Sequence, residues 1–147
     1  MQHLKFTALL CGLSLLIGCG PSRQAQCQLL GEAQNQVRNT INAQYQQRIG
    51  QLAYSQTHEL QMVQVMQQAA ETTQAVQLKD ANLQDLQTRL VQSYQNSSQL
   101  HQQAANLIPA TGSPNEAVIQ QVDALHQQVD AGIPEAVQEF NIYCIGG

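Results

Sequence analysis

The chain has no tryptophan, two phenylalanines and four tyrosines in 147 residues. A folded core must therefore be filled by aliphatic side chains and methionine rather than by large aromatic plates. Charge is also scarce, at 11% of residues, and the basic residues Arg23, Arg38, Arg48, Lys79 and Arg89 stand apart from one another. No basic cluster exists to track phosphates, which excludes nucleic acid as the expected partner. No apolar run reaches the roughly 20 residues that a membrane-crossing helix needs. Motifs of catalysis are missing too: there is no GxSxG, no HExxH, no phosphate-cradling glycine loop and no DxDxDG calcium loop. The acids occur singly, and Asp80 and Asp85 read as a helix cap and a solvated face rather than as a paired acid and base. Neither enzymatic activity nor a cofactor is expected.

What is present begins at the N-terminus. Lys5 precedes an apolar stretch from Phe6 to Ile17, which has the length of a secretory signal core. Leu16-Ile17-Gly18-Cys19 then closes it, and this segment resembles a bacterial lipoprotein signal. Cys11 is the competing cysteine, but the bulky Leu10 before it does not suit cleavage. The resemblance implies removal of residues 1–18, acylation of Cys19 and a bilayer as the first partner. One acyl chain anchors only reversibly, at ~0.8 kcal/mol per buried methylene; the two or three chains of such lipoproteins imply stable attachment. Residues 19–22 then form the lipidated cysteine and a short tether. The expected location is the periplasmic or lumenal face of a membrane, with outer, inner and thylakoid membranes all open.

Beyond residue 18, five basic residues face ten acidic ones, so the mature chain is five units negative. Glutamine dominates, with 29 residues. It is interleaved with regularly spaced aliphatics rather than gathered in runs, and it is a good helix former. It reads as the filler of solvated helix faces.

Helical periodicity runs through residues 23–144, without strand-like alternation. A first segment from Ser22 to Ile49 aligns Cys27, Leu30, Val37, Ile41, Tyr45 and Ile49 until Gly50 interrupts it. A second carries Leu60, Val63, Met66, Ala70 and Val76 and ends near Leu78-Lys79. Asp80 caps a third, with a stripe of Leu83, Leu86, Leu90 and Tyr94. Pro109 to Ser113 is a loop, after which Ser113-Pro114-Asn115-Glu116 predicts a helix start with Ser113 as N-cap and Glu116 closing a capping box. The last segment carries Val118, Val122, Leu125 and Val129, and Gly132 and Pro134 should break or kink it before Val137 and Phe140. Residues 145–147 read as a tail.

Similar lengths and short connections predict an all-α, antiparallel, up-down-up-down four-helix bundle. The alternative, should Gly50 not form a turn, is a three-helix fold with one long bent helix. Cys27 and Cys144 lie near the two ends of the domain in an oxidising compartment, where a pair of thiols becomes a disulfide. An even number of antiparallel helices brings both to one end of the bundle, within the ~7 Å limit for bridging.

His58, His101 and His126 are the histidines of the mature chain. His58-Glu59 and nearby acids offer zinc-compatible groups, but no pair has i,i+4 spacing on one helix. They read as surface or interhelix polar residues, and no metal centre is expected. Met62 and Met66 read as core gap-fillers, with an adaptable groove as the alternative. Tyr45, Tyr54, Tyr94 and Tyr143 place rings in the core or at its rim, and one or two can anchor a partner.

Cys19, Cys27, Leu30, Ile41, the Leu83-Leu86-Leu90 stripe and Tyr143-Cys144, set among Gln-rich helices, resemble a group of small cyanobacterial lipoproteins without an assigned activity. The function expected is a tethered, non-enzymatic interaction or accessory module with a membrane-associated protein partner. The alternative is a small-ligand sensor or an inhibitor or immunity-type lipoprotein.

Overall fold

The computed structural model describes residues 21–47 and 54–145. The leader 1–18, the lipidation candidate Cys19, Ile49, Gly50 and the terminal Gly146-Gly147 lie outside the described residues. Four helices follow one another: α1 (Arg23–Gln47), α2 (Gln56–Gln74), α3 (Ala81–Leu107) and α4 (Glu116–Ile145). The chain is an all-α four-helix bundle. Helices one and two are separate elements, since Ser55 adopts extended backbone and its Oγ accepts the His58 N–H to start α2.

Cross-helix pairs show the direction of each neighbour. Gln44 bonds Gln61 and Gln34 bonds Thr73, so α1 and α2 are antiparallel. Ser98 bonds the Val63 carbonyl and Gln87 bonds that of Thr73, so α2 and α3 are too. Arg89 pairs with Glu139 while His101 lies beside His126, which runs α3 against α4. The α2–α3 interface is the most extensive, followed by α3–α4 and then α1–α2. Small buried residues (Ala69, Ala70, Thr73, Ser97, Ala104, Ala105) let the α2 and α3 backbones approach closely.

The principal core joins Cys27, Leu30 and Val37 of α1, Met62 and Met66 of α2, Leu83, Leu86, Leu90 and Tyr94 of α3, and Ala136 and Phe140 of α4. Both methionines are core. A smaller cluster of Ala104, Ile108 and Val122, flanked by Tyr54, Val118 and Leu125, closes the opposite end. Two residues of the anticipated stripes turn outward, Leu60 on the solvent side of α2 and Tyr45 near the end of α1. The buried side of α2 is instead set by Met62, Val63, Met66, Ala69 and Ala70.

The caps correct several expected boundaries. Ser22, assigned to the tether, caps α1 through its Oγ to the Ala25 N–H. Asp80 caps α3 by accepting the Leu83 N–H at 3.0 Å. Asn115, not Ser113, caps α4, accepting the Val118 N–H at 3.0 Å. Pro114 therefore stands ahead of the cap rather than inside the first turn. Helix α2 ends at Gln74, four residues before Leu78. Helix α4 runs unbroken through Pro134 to Ile145, so the expected break there does not occur. Pro134 lacks an N–H for the ladder, but the helix persists because Ile133, Val137 and Phe140 on its two sides pack against the core.

Candidate functional site

Two features stand out, one at an end of the bundle and one in its interior. The first is at the end where α1 begins and α4 finishes. Cys27 and Cys144 are bonded there, with Cα atoms 5.7 Å apart. Around the bridge, Gln26 is buried; its amide nitrogen donates to the Pro21 carbonyl and its oxygen accepts the N–H groups of Lys79 and Asp80. Tyr143 donates to Asp80 and accepts from Asn82, and Arg23 lies over its ring at 5.5 Å. The Leu83 N–H bonded to Asp80 holds that carboxyl below its usual range, with a smaller contribution from the Tyr143 hydroxyl. The chain's entry, its exit and the α2–α3 connection are thus tied together at one end.

Beyond the disulfide, α1 and α4 diverge. A groove of about 620 Å³ opens between them, lined by Val37, Ile41, Tyr94, Ile133, Val137 and Phe140. Gln28, Gln34, Asn35 and Arg38 of α1 supply its polar rim. Gly31 leaves the ring of Phe140 at the groove floor; a Cβ there would lie 3.6 Å from it. The same end of the molecule exposes apolar surface, with Ile142 at 65% and Ile145 at 80% accessibility. The cavity lies on the α1–α4 side, not along Met62 and Met66, because those two methionines are wholly consumed by packing.

The second feature is a polar layer between the two apolar clusters. Glu59 comes from the first turn of α2, where a helix N-terminus favours negative charge. His101 comes from α3 and His126 from α4. Glu59 Oε2 lies 2.7 Å from His101 Nδ1, and Glu59 Oε1 lies 3.2 Å from His126 Nε2. Glu59 is 1% exposed and His101 3%, whereas the His126 side chain keeps 24% of its surface accessible. Burial alone would raise the Glu59 carboxyl. Hydrogen bonds from the two imidazoles, with their attraction when protonated, outweigh it and bring the group down to about 2. A buried carboxylate is thus kept charged by two histidines. The Nε2 of His101 is buried and has no hydrogen-bond partner among the described residues.

Periodicity within one helix cannot reveal this cluster, because each donor comes from a different helix. His58 and Glu59 were the sequence pair with zinc-compatible chemistry. Of these Glu59 enters the cluster, while His58, also buried, lies beside the Tyr45 ring at 6.5 Å. The buried His–Glu layer left one trace in the sequence: three of the few titratable residues fall at core-facing register positions. Cys19 lies outside the described residues. No family model, no curated protein and no solved structure matches this chain.

Proposed function

We propose that this chain is a lipid-anchored, non-enzymatic binding module, an accessory or scaffold subunit held by acylated Cys19 on a periplasmic or lumenal membrane surface. The groove between α1 and α4 carries the reading. It is a concave apolar surface on a frame closed by a disulfide. Arg23 lies four positions after Cys19, at most about 14 Å of extended chain. An anchor at Cys19 therefore keeps the disulfide end, with Ile142 and Ile145, close to the headgroups. The groove opens from that same end, lined in part by Cys27, Cys144 and Ile145. The occupant this arrangement suits is an apolar segment of a membrane-associated protein, inserted between α1 and α4.

A second reading has its own support. At about 620 Å³ the groove has the size of a small-molecule site, which typically spans ~300–1,000 Å³. A small apolar ligand is then the occupant and the protein a sensor.

The test is affinity purification of the full-length protein from its native membranes under mild cross-linking, beside Cys19→Ala and Gly31→Leu. The latter side chain enters the groove while its Cβ fits against Phe140. A stoichiometric partner lost in both variants supports the first reading. Saturable binding of a fluorescent fatty-acid analogue, abolished by Gly31→Leu and without a protein partner, supports the second. A partner captured equally by the wild type and Gly31→Leu, with no fatty-acid binding, overturns the groove as the binding element.

A further inference from the structure

We propose that Glu59, His101 and His126 form a divalent-metal site, zinc being the chemical class that suits it, in the polar layer between the two apolar clusters and away from the disulfide. The donor set is two imidazoles and one carboxylate, which matches zinc sites that keep a fourth position for water or an incoming ligand. Their ligand atoms lie within 4.8 Å of one another. Three helices supply one donor each, so the spacing is set by the two most extensive interfaces of the fold rather than by a flexible loop.

Three further observations point the same way. A carboxylate buried to 1% accessibility in the core costs free energy unless a cation or strong donors compensate it. A divalent ion held by all three groups would compensate that carboxylate directly. His101 is buried and its Nε2 is unpartnered among the described residues; with Nδ1 facing Glu59, a flip of the ring offers either nitrogen to an ion. His126, partly accessible, provides the route by which an ion enters and the side on which the fourth ligand sits.

The geometry also sets where the site stands. From His126 to Cys144 is eighteen residues of continuous helix, about 27 Å at 1.5 Å per residue. The site is therefore remote from the disulfide and from the groove mouth. Zinc would clip α2, α3 and α4 together, with α1 contributing no donor. The competing account is a purely structural ion pair, in which the imidazoles satisfy Glu59 and bind nothing.

The deciding experiment uses the untagged full-length chain in mild detergent, stripped with a chelator and titrated with Zn²⁺ and then Co²⁺. The expected result is one saturable equivalent of Zn²⁺, visible Co²⁺ bands of four- or five-coordinate intensity, and a thermal midpoint that climbs with Zn²⁺ concentration. His126→Ala should weaken binding by at least about tenfold, as loss of a ligating or supporting group does, while the chelated variant keeps its helical circular dichroism. Glu59→Gln should abolish the Co²⁺ bands; if that variant fails to fold, His126→Ala still decides. Binding that is absent, substoichiometric or unchanged in His126→Ala overturns the site and leaves the ion pair.

Discussion

Tyr94 shows how much a single side chain does in this fold. Its ring is buried in the principal core, and its hydroxyl donates to Gln34 Oε1 at 2.6 Å. Gln34 in turn bonds Thr73, so one phenol ties α3 to α1 and α2. Burial pushes the hydroxyl up to about 12 from the usual 10. Below pH 10 both folded and unfolded chains keep the proton, and the full stability is present. Between pH 10 and 12 the unfolded chain loses its proton while the folded chain retains it, so stability falls with rising pH. Across that window the loss is on the order of 2–3 kcal/mol, at ~1.4 kcal/mol per unit. Tyr94→Phe should cost about 1 kcal/mol at neutral pH through the lost hydrogen bond. The gap between the two proteins should then shrink or reverse toward pH 12 in urea denaturation. A constant gap across that range would refute the assignment.

At the scale of the helix, glutamine does more than coat surfaces. Among the described residues, α2 and α3 have no basic residue in their last turns, so the usual positive complement to their C-terminal carbonyls is missing. Glutamine amides take that role. Gln87 donates to the Thr73 and Val76 carbonyls at the end of α2, both at 2.8 Å. Gln56 donates to Ala105 and Ile108 at the end of α3, and Gln84 donates to Leu78 in the connection. A neutral amide satisfies a buried carbonyl without carrying a charge inward. Gln87→Met is expected to lower stability by about 1–3 kcal/mol by leaving carbonyls unpaired. The exposed Gln92→Met should stay within about 0.5 kcal/mol. Comparable losses at both positions would mean that the amide caps contribute nothing.

For the molecule as a whole, the disulfide supports its weakest side. α1 packs chiefly on α2, and toward α4 it opens the groove instead of a packed interface. The 117-residue separation of Cys27 and Cys144 closes nearly the whole domain, and removing such a bridge typically costs about 2–5 kcal/mol. The double variant Cys27→Ala/Cys144→Ala should therefore lose that much in denaturant midpoints. Its amide exchange should quicken first along α1, while the α2–α3 pair stays protected. Uniform acceleration along all four helices would instead place the loss in global stability alone.

The apolar register at three- and four-residue steps in the sequence determines that the chain is helical. Asp80 lies where a side-chain oxygen caps orphan N–H groups, and the Leu83-Leu86-Leu90 stripe follows from helical geometry without knowledge of the partner helices. Such local features are legible because they depend on a few residues of contiguous chain. Other features are settled only once helices pack. Asn115 replaces Ser113 as the cap, because several polar residues compete within one turn of Pro114. Pro134 is carried inside α4 because tertiary contacts on both sides outweigh its missing N–H. Leu60 turns outward because the pairing of α2 with α3 selects which face is buried. The α1–α4 groove and the Glu59–His101–His126 cluster belong entirely to this second class. Each is assembled from residues on different helices 25 or more positions apart, a separation over which local propensity carries no information and only the packing of the bundle decides.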